Sequence, residues 1–377
     1  MADDLRSATN PLFNDNRLKL GVFGANGPGV AFTTVPELFK PTWANSSAVA
    51  RLADQTGIET IVPYARWKAL GKSDHSRSFE TSTWASAVSA QTHQSCVMST
   101  THVQAYHPVV AAKTAASVDQ ISGGRFAMNI VCGWLAAEIE MFGQPLLPHE
   151  ERYAAADEWI GLMKRLWTDE GPVTFEGKHY AVRDARIDPR PVQAGGPALM
   201  NAGGSERGRH FAAKNADIAF IFIQDPSPDA LRANVEAYKR LAREEYGREI
   251  QVWVLSYVVQ RDSVEDAKRY VDHYVLDHGD VAMADTFIEG TIANAKVAPP
   301  EVIEKMRYAI MAGVGGFPLL GTADDITESL RTLSSCGVDG VLLSWIDYIP
   351  GLELFSRTVL PRLEQIGLRK SARAAAA

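Results

Sequence analysis

Residues 121–134 read ISGGRFAMNIVCGW. Ser-Gly-Gly-Arg is turn chemistry, because glycine adopts backbone conformations closed to other residues. The run that follows is short and almost wholly apolar, as a parallel strand covered on both faces must be. One letter breaks it. An amide buried in such a strand costs free energy unless its donor and acceptor are used, so Asn129 has either a structural hydrogen bond to make or a ligand to hold.

The same unit, a short apolar run and then a helical segment, recurs on both sides of this stretch. LKLGVFG (18–24), ETIVPYA (59–65), SCVMSTTH (95–102) and RFAMNIVCG (125–133) come before it or within it. ALMNAGG (198–204), IAFIFIQ (218–224), QVWVLSYVVQ (251–260) and DGVLLSWIDY (339–348) follow. Alternation of this kind predicts βα units around a parallel sheet, and eight units are the closing number of an α/β TIM (β/α)8 barrel. The expectation is one barrel over residues 1–377 with two insertions. Residues 171–197 read as a hairpin around Glu-Gly-Lys with a Pro/Gly-rich connector, and about 278–322 as mixed helix and loop.

The 377 residues are 46% hydrophobic and 22% charged with a formal net charge of −7, which suits a large core. An acidic balance argues against nucleic acid or an anionic membrane surface as partner. Three cysteines without a C-x-x-C pair signal neither a disulfide framework nor a zinc cluster. With no signal-like start and no long apolar run, the expected location is the cytoplasm.

In a TIM barrel the site gathers at the C-terminal ends of the strands. Those ends are Ala65–Arg66, Thr101–His102, Asn129 to Trp134, Asn201 to Ser205, Gln224–Asp225 and Trp345 to Tyr348. They offer amides, hydroxyls and rings, but no metal-ligand set, no G-x-S-x-G elbow and no cysteine beside a base. Such a rim implies that a bound organic cofactor brings the reactivity. In NAGGSERGR, Gly203, Gly204 and Ser205 lead into a helix whose free N–H groups suit a phosphate, although a serine N-cap on a glycine turn explains the same letters. Arg207 and Arg209 either add charge there or face solvent.

Four blocks, AASVDQISGGRFAMNIVCGW, HEERYAAADEWIGLMKRLW, VTFEGKHY and ALMNAGGSERGRHFAA, together resemble the bacterial-luciferase-like flavin-dependent monooxygenases. The likeness runs in order through residues 18–368 and is greatest to the branch of pyrimidine oxygenase, dimethyl sulfone monooxygenase and riboflavin lyase. It implies FMN used as a diffusible reduced substrate, O2 as oxidant, a separate NAD(P)H:flavin reductase as partner, and a homodimer or tetramer. By position it makes Asn129 the asparagine that bonds the flavin, and Ala65 and Arg66 the pair beside its ring. Glu138 becomes an acidic flavin-site residue, Arg152 and Tyr153 the pair reaching the phosphate, and Ser205 the phosphate-loop serine.

Read without the resemblance, Glu138 is a solvated charge early in a helix, Arg152 a surface charge and Tyr153 a core aromatic. His102 and His107 flank the end of the third strand, where His102 is either a donor to the reacting centre or a packed histidine. Cys132 stands where some relatives carry threonine. Trp43, Trp67, Trp84, Trp134 and Trp345 either wall the cavity or fill the core, and Lys68, Lys72, Asp74 and His75 form a polar loop suited to a lid. The implied reaction oxygenates and cleaves a carbon–heteroatom bond of a small N-heterocycle, amide or sulfone, with the pyrimidine oxygenase type preferred. Cleavage of a second flavin, a deazaflavin-dependent dehydrogenase and a non-catalytic flavin-binding barrel are the alternatives.

Overall fold

The computed structural model describes residues 9–68, 77–291 and 299–370. Its eight expected runs are the eight strands of a closed parallel ring. In order round the ring they are β1 (Lys19–Phe23), β2 (Thr60–Val62), β3 (Cys96–His102), β4 (Phe126–Val131), β7 (Ala198–Asn201), β8 (Ile218–Ile221), β9 (Gln251–Gln260) and β11 (Gly340–Ser344), which returns to β1. The Ser-Gly-Gly-Arg turn joins the helix Pro108–Ser122 to β4. Gly123 and Gly124 take φ of 66° and 88°, and Arg125 N donates to Ser122 Oγ at 3.1 Å.

Alternation along each strand sorts the side chains. On β4, Ala127 joins the barrel interior with Met98, Met200, Trp253 and Leu342, whereas Phe126, Met128 and Ile130 pack beneath the helices. The same parity sends Asn129 inward, and on β3 it sends Thr100 and His102 inward with Met98. Close packing decides the small residues. Gly340 lies opposite Trp253 across the β9–β11 pair, and a Cβ there would stand 2.2 Å from the indole. The N-terminal segment plugs the far end, where Leu12 enters the interior cluster and Gln251 Nε2 donates to Leu12 O at 2.7 Å.

Both expected insertions have structure. The first contains an antiparallel hairpin, β5 (Val173–Glu176) with β6 (Ala181–Ala185). In the second, the helices Val281–Thr291 and Pro300–Gly313 build a cap over the mouth with its own apolar core, which includes Phe32, Tyr274, Met283 and Ile310. The cap leads into β10 (Phe317–Gly321), a strand within a stretch expected to be mixed helix and loop. β9 is long: its first half pairs with β8 as far as Val254, and from Ser256 onward β10 takes the vacated edge. A five-residue run with a proline, entered through glycines, carries too little periodicity to reveal such a strand.

Candidate active site

A cavity of about 410 Å³ opens at the C-terminal ends of the strands. Arg66, Thr100, His102 and Asn129 supply one wall, Tyr153 with Gly203, Gly204 and Ser205 another, and Phe32, Phe220, Leu255, Phe287 and Val314 the apolar remainder. Ala65 lines it as well. Of the residues expected at the site, Glu138 and Arg152 stand behind this lining.

Two asparagines at strand ends show how the site differs from the frame. Asn201 is used up by structure: its Nδ2 donates to Ile130 O at 2.7 Å and its Oδ1 accepts from Gly203 N at 3.0 Å. Asn129 is half used. Its Nδ2 donates to Thr100 Oγ1 at 3.2 Å, while Oδ1 is buried without a partner among the described residues. Arg66 Nε and Nη1 and His102 Nδ1 are buried and unpaired in the same way. Buried polar groups in folded proteins are nearly always bonded, so several orphans around one cavity mark a place built for a polar ligand.

Glu138 is 1% exposed, not a solvated charge. Its Oε1 accepts from the backbone N–H of Trp67 at 3.0 Å and of Lys68 at 3.3 Å, so it fastens the chain just past Arg66. Burial raises its pKa, against the pull of those amides and of Arg66. Its Oε2 lies 3.7 Å from His102 Nδ1, outside hydrogen-bond reach. Burial, and then the positive charge of Arg66, push the His102 imidazole down to about 4. His102 is therefore neutral at pH 7, with one nitrogen to donate and one to accept.

The Gly203–Ser205 loop is held by its own sequence. A Cβ on Gly203 would meet Gly208 O at 2.6 Å, so glycine alone lets this loop lie against the first turn of the helix Glu206–Asn215. Ser205 Oγ caps that helix by accepting from Gly208 N at 3.1 Å, and it lies 3.1 Å from His149 Nε2. The serine is a helix cap, and it also lines the cavity. Tyr153 lies against the ring of His149, 5.2 Å between centroids. Arg152 turns the other way, and its Nη1 donates to Gly133 O at 2.6 Å, pinning the exit of β4. Arg207 is tied to Asp157 at 2.6 Å, and Arg209 stacks over Tyr238 beside a second cavity that takes Gln224 and Asp225.

The model of the family described as luciferase-like monooxygenase matches residues 18–340. The chain belongs to that family. It is 28% identical over 335 residues to the FMNH2-dependent dimethylsulfone monooxygenase of Pseudomonas putida, covering 87% of this chain and 90% of that one. It is 26% identical over 356 residues to the pyrimidine monooxygenase RutA of Cronobacter turicensis, covering 91% and 92%. Its fold matches that of a riboflavin lyase crystallised with modified FMN and riboflavin, with a TM-score of 0.82, 21% identity, and 94% and 93% of the two chains covered.

Other candidates in this luciferase-like monooxygenase lie elsewhere. Of the tryptophans only Trp134 lines the cavity; Trp67 packs on Tyr106 and Phe142, Trp84 and Trp345 are core, and Trp43 is half exposed. His107 caps the helix Pro108–Ser122, and Thr101 has the parity that faces the helices. Tyr348 is structural, its hydroxyl bonding Phe23 O and Ser344 Oγ. Cys132 lines the cavity, with its thiol pushed up to about 12 by burial and so inert as a nucleophile. Lys72, Asp74 and His75 lie outside the described residues. Among the described residues no His/Cys/Asp/Glu group could hold a metal, and no helix is long and apolar enough to cross a membrane. The reading of strand ends missed Thr100, which strand parity would have found, and the apolar wall of Phe32, Phe287 and Val314, which no local signal marks.

Proposed function

We propose that this chain is a two-component monooxygenase that uses reduced FMN and O2 to oxygenate and cleave a carbon–heteroatom bond of a small N-heterocycle, amide or sulfone. One observation carries the reading: Arg66, His102 and Asn129, each with a buried side-chain atom that has no partner among the described residues, line the same cavity as the Gly203–Ser205 loop. These residues fit a flavin. Asn129 Oδ1 would accept from a ring N–H, Arg66 would donate to ring oxygen or nitrogen carrying negative charge, and the N–H groups after Gly203 would take the phosphate. Reduced flavin supplies the electrons that activate oxygen. The protein's share is to hold the ring, keep water away with the aromatic and aliphatic wall, and offer the substrate a neutral imidazole at His102.

The cavity volume lies at the small end of the range for ligand sites, roughly 300–1,000 Å³. That favours a small second molecule over a second flavin. Donors at Arg66 and a neutral His102 suit the carbonyl and ring N–H of a heterocycle, so pyrimidines are tested first and sulfones second. A separate NAD(P)H:flavin reductase, a cytoplasmic location and pairing into a homodimer or tetramer belong to the same proposal.

The test is anaerobic titration with reduced FMN, then admission of labelled O2 with uracil or dimethyl sulfone, read by mass spectrometry. Label is expected in the product. Replacing Asn129 and Ser205 together by alanine removes two hydrogen bonds worth about 1 kcal/mol each, so the FMN dissociation constant is expected to rise on the order of tenfold or more. A product formed from a deazaflavin under nitrogen, or FMN binding without oxygen uptake above the free-flavin rate, would overturn the proposal.

A further inference from the structure

The helix Pro300–Gly313 ends on Val314 in the left-handed conformation, φ 52° and ψ 36°. Val314 N donates to Ile310 O at 2.8 Å and Gly315 N to Ala309 O at 3.0 Å, so the turn uses two of the last carbonyls of the helix. That position is usually glycine, because a Cβ is crowded there and a β-branched one most of all. Other left-handed helix stops here, at Gly123, Gly143 and Gly247, use glycine. The other described non-glycine residue with positive φ is Asp184, an exposed aspartate of the hairpin, a residue type that tolerates the region. Gly315 and Gly316 follow at once, so a valine has been kept where glycine was close to hand.

The side chain explains where the strain goes. Val314 lines the main cavity and packs partly buried against both the cap core and the barrel interior. With Leu255 on β9 it forms the wall four strands round the ring from β3, which bears Thr100 and His102. The polar wall is thus occupied by groups that fit the flavin, and the isopropyl group narrows the far side. Strained backbone persists where surrounding structure holds it, and it concentrates at functional sites.

We infer that Val314 is a specificity-determining residue, a steric gauge that limits the second molecule in the cavity to compact substrates without a bulky apolar substituent. The inference rests on the proposed monooxygenase reading, and it names the residue that sets the size limit. One added methylene in an apolar pocket changes discrimination by roughly tenfold or more.

Two homologous series are the probes: uracil against 5-propyluracil, and dimethyl against dibutyl sulfone, each with reduced FMN and O2. Val314→Gly and Val314→Ala are both expected to raise the ratio of kcat/KM for the larger over the smaller member at least tenfold, while Val314→Thr, which keeps the shape, leaves the ratio as it is. Urea unfolding reads the strain without any substrate. Glycine is expected to give a higher midpoint than alanine at this position, the reverse of their order inside a helix. Ratios equal in all four proteins, failure of the wild type to turn over either series, or alanine more stable than glycine would overturn the inference. Wild-type protein that binds no FMN would instead overturn the monooxygenase reading.

Discussion

Protonating His102 should destabilise the fold. The imidazole is 3% exposed, and burial together with Arg66 holds it at about 4 against an ordinary 6.5. The unfolded chain therefore binds the proton more tightly than the folded one, and stability falls as the pH drops below 6.5. Carried down to pH 4 the loss is about 3 kcal/mol, a little under the full shift at about 1.4 kcal/mol per pH unit because the folded imidazole is itself half protonated there, and about 2 kcal/mol of it is reached by pH 5. Burial and Arg66 set the His102 shift although Glu138 Oε2 lies 3.7 Å from its Nδ1, and the pKa of Glu138 is itself raised by burial. The sign for Glu138 is opposite: a raised carboxyl costs stability as the pH climbs above its ordinary 4.5. The assay is urea unfolding of the wild type and His102→Gln at intervals from pH 7.5 to 5, with the two curves subtracted so that other acid-sensitive groups cancel. The difference should be flat near neutrality and then move by about 2 kcal/mol in favour of the variant. Parallel curves, or an imidazole resonance titrating near 6.5, would refute the burial and charge reasoning behind a neutral His102.

Glu138→Ala leaves the N–H groups of Trp67 and Lys68 without their acceptor, and since both bonds are only part-buried each costs about 1 kcal/mol. Faster hydrogen exchange at those two amides is expected, with weaker FMN binding although the carboxylate does not line the cavity; unchanged exchange would sink the idea that it fastens this segment. Glu138→Gln keeps an oxygen acceptor and should retain most of the protection. Gly340→Ala puts a methyl group 2.2 Å from the Trp253 indole and is expected to lower stability by about 1–3 kcal/mol in urea unfolding. Adding Trp253→Phe should recover part of that loss, and no recovery would mean that the crowding lies elsewhere.

The periodic parts of this molecule were legible in the sequence. Each barrel strand is a short apolar run bounded by turn residues, and each is followed by its own helix, so the eight units could be counted from local pattern. Asn129 also stood out locally, because an amide in an otherwise apolar strand conflicts with burial. Ser-Gly-Gly-Arg through Gly-Trp carried the family resemblance, which the match over residues 18–340 bears out. β10 escaped because its reason for being a strand is the free outer edge of β9, a partner more than fifty residues earlier.

What only the tertiary structure decided is which polar atoms have partners. Asn129 and Asn201 are the same residue type at neighbouring strand ends, yet one is spent on the frame and the other is a cavity residue whose oxygen has no partner among the described residues. Glu138 is a first-turn acid in the sequence and a buried clasp in the fold, and Val314 becomes part of the cavity only because the cap folds back over the mouth. Periodicity is a property of a single segment, whereas hydrogen-bond satisfaction and burial belong to groups brought together from distant segments. Pattern along the chain therefore fixes the elements, and through-space packing selects which of their side chains are left for chemistry.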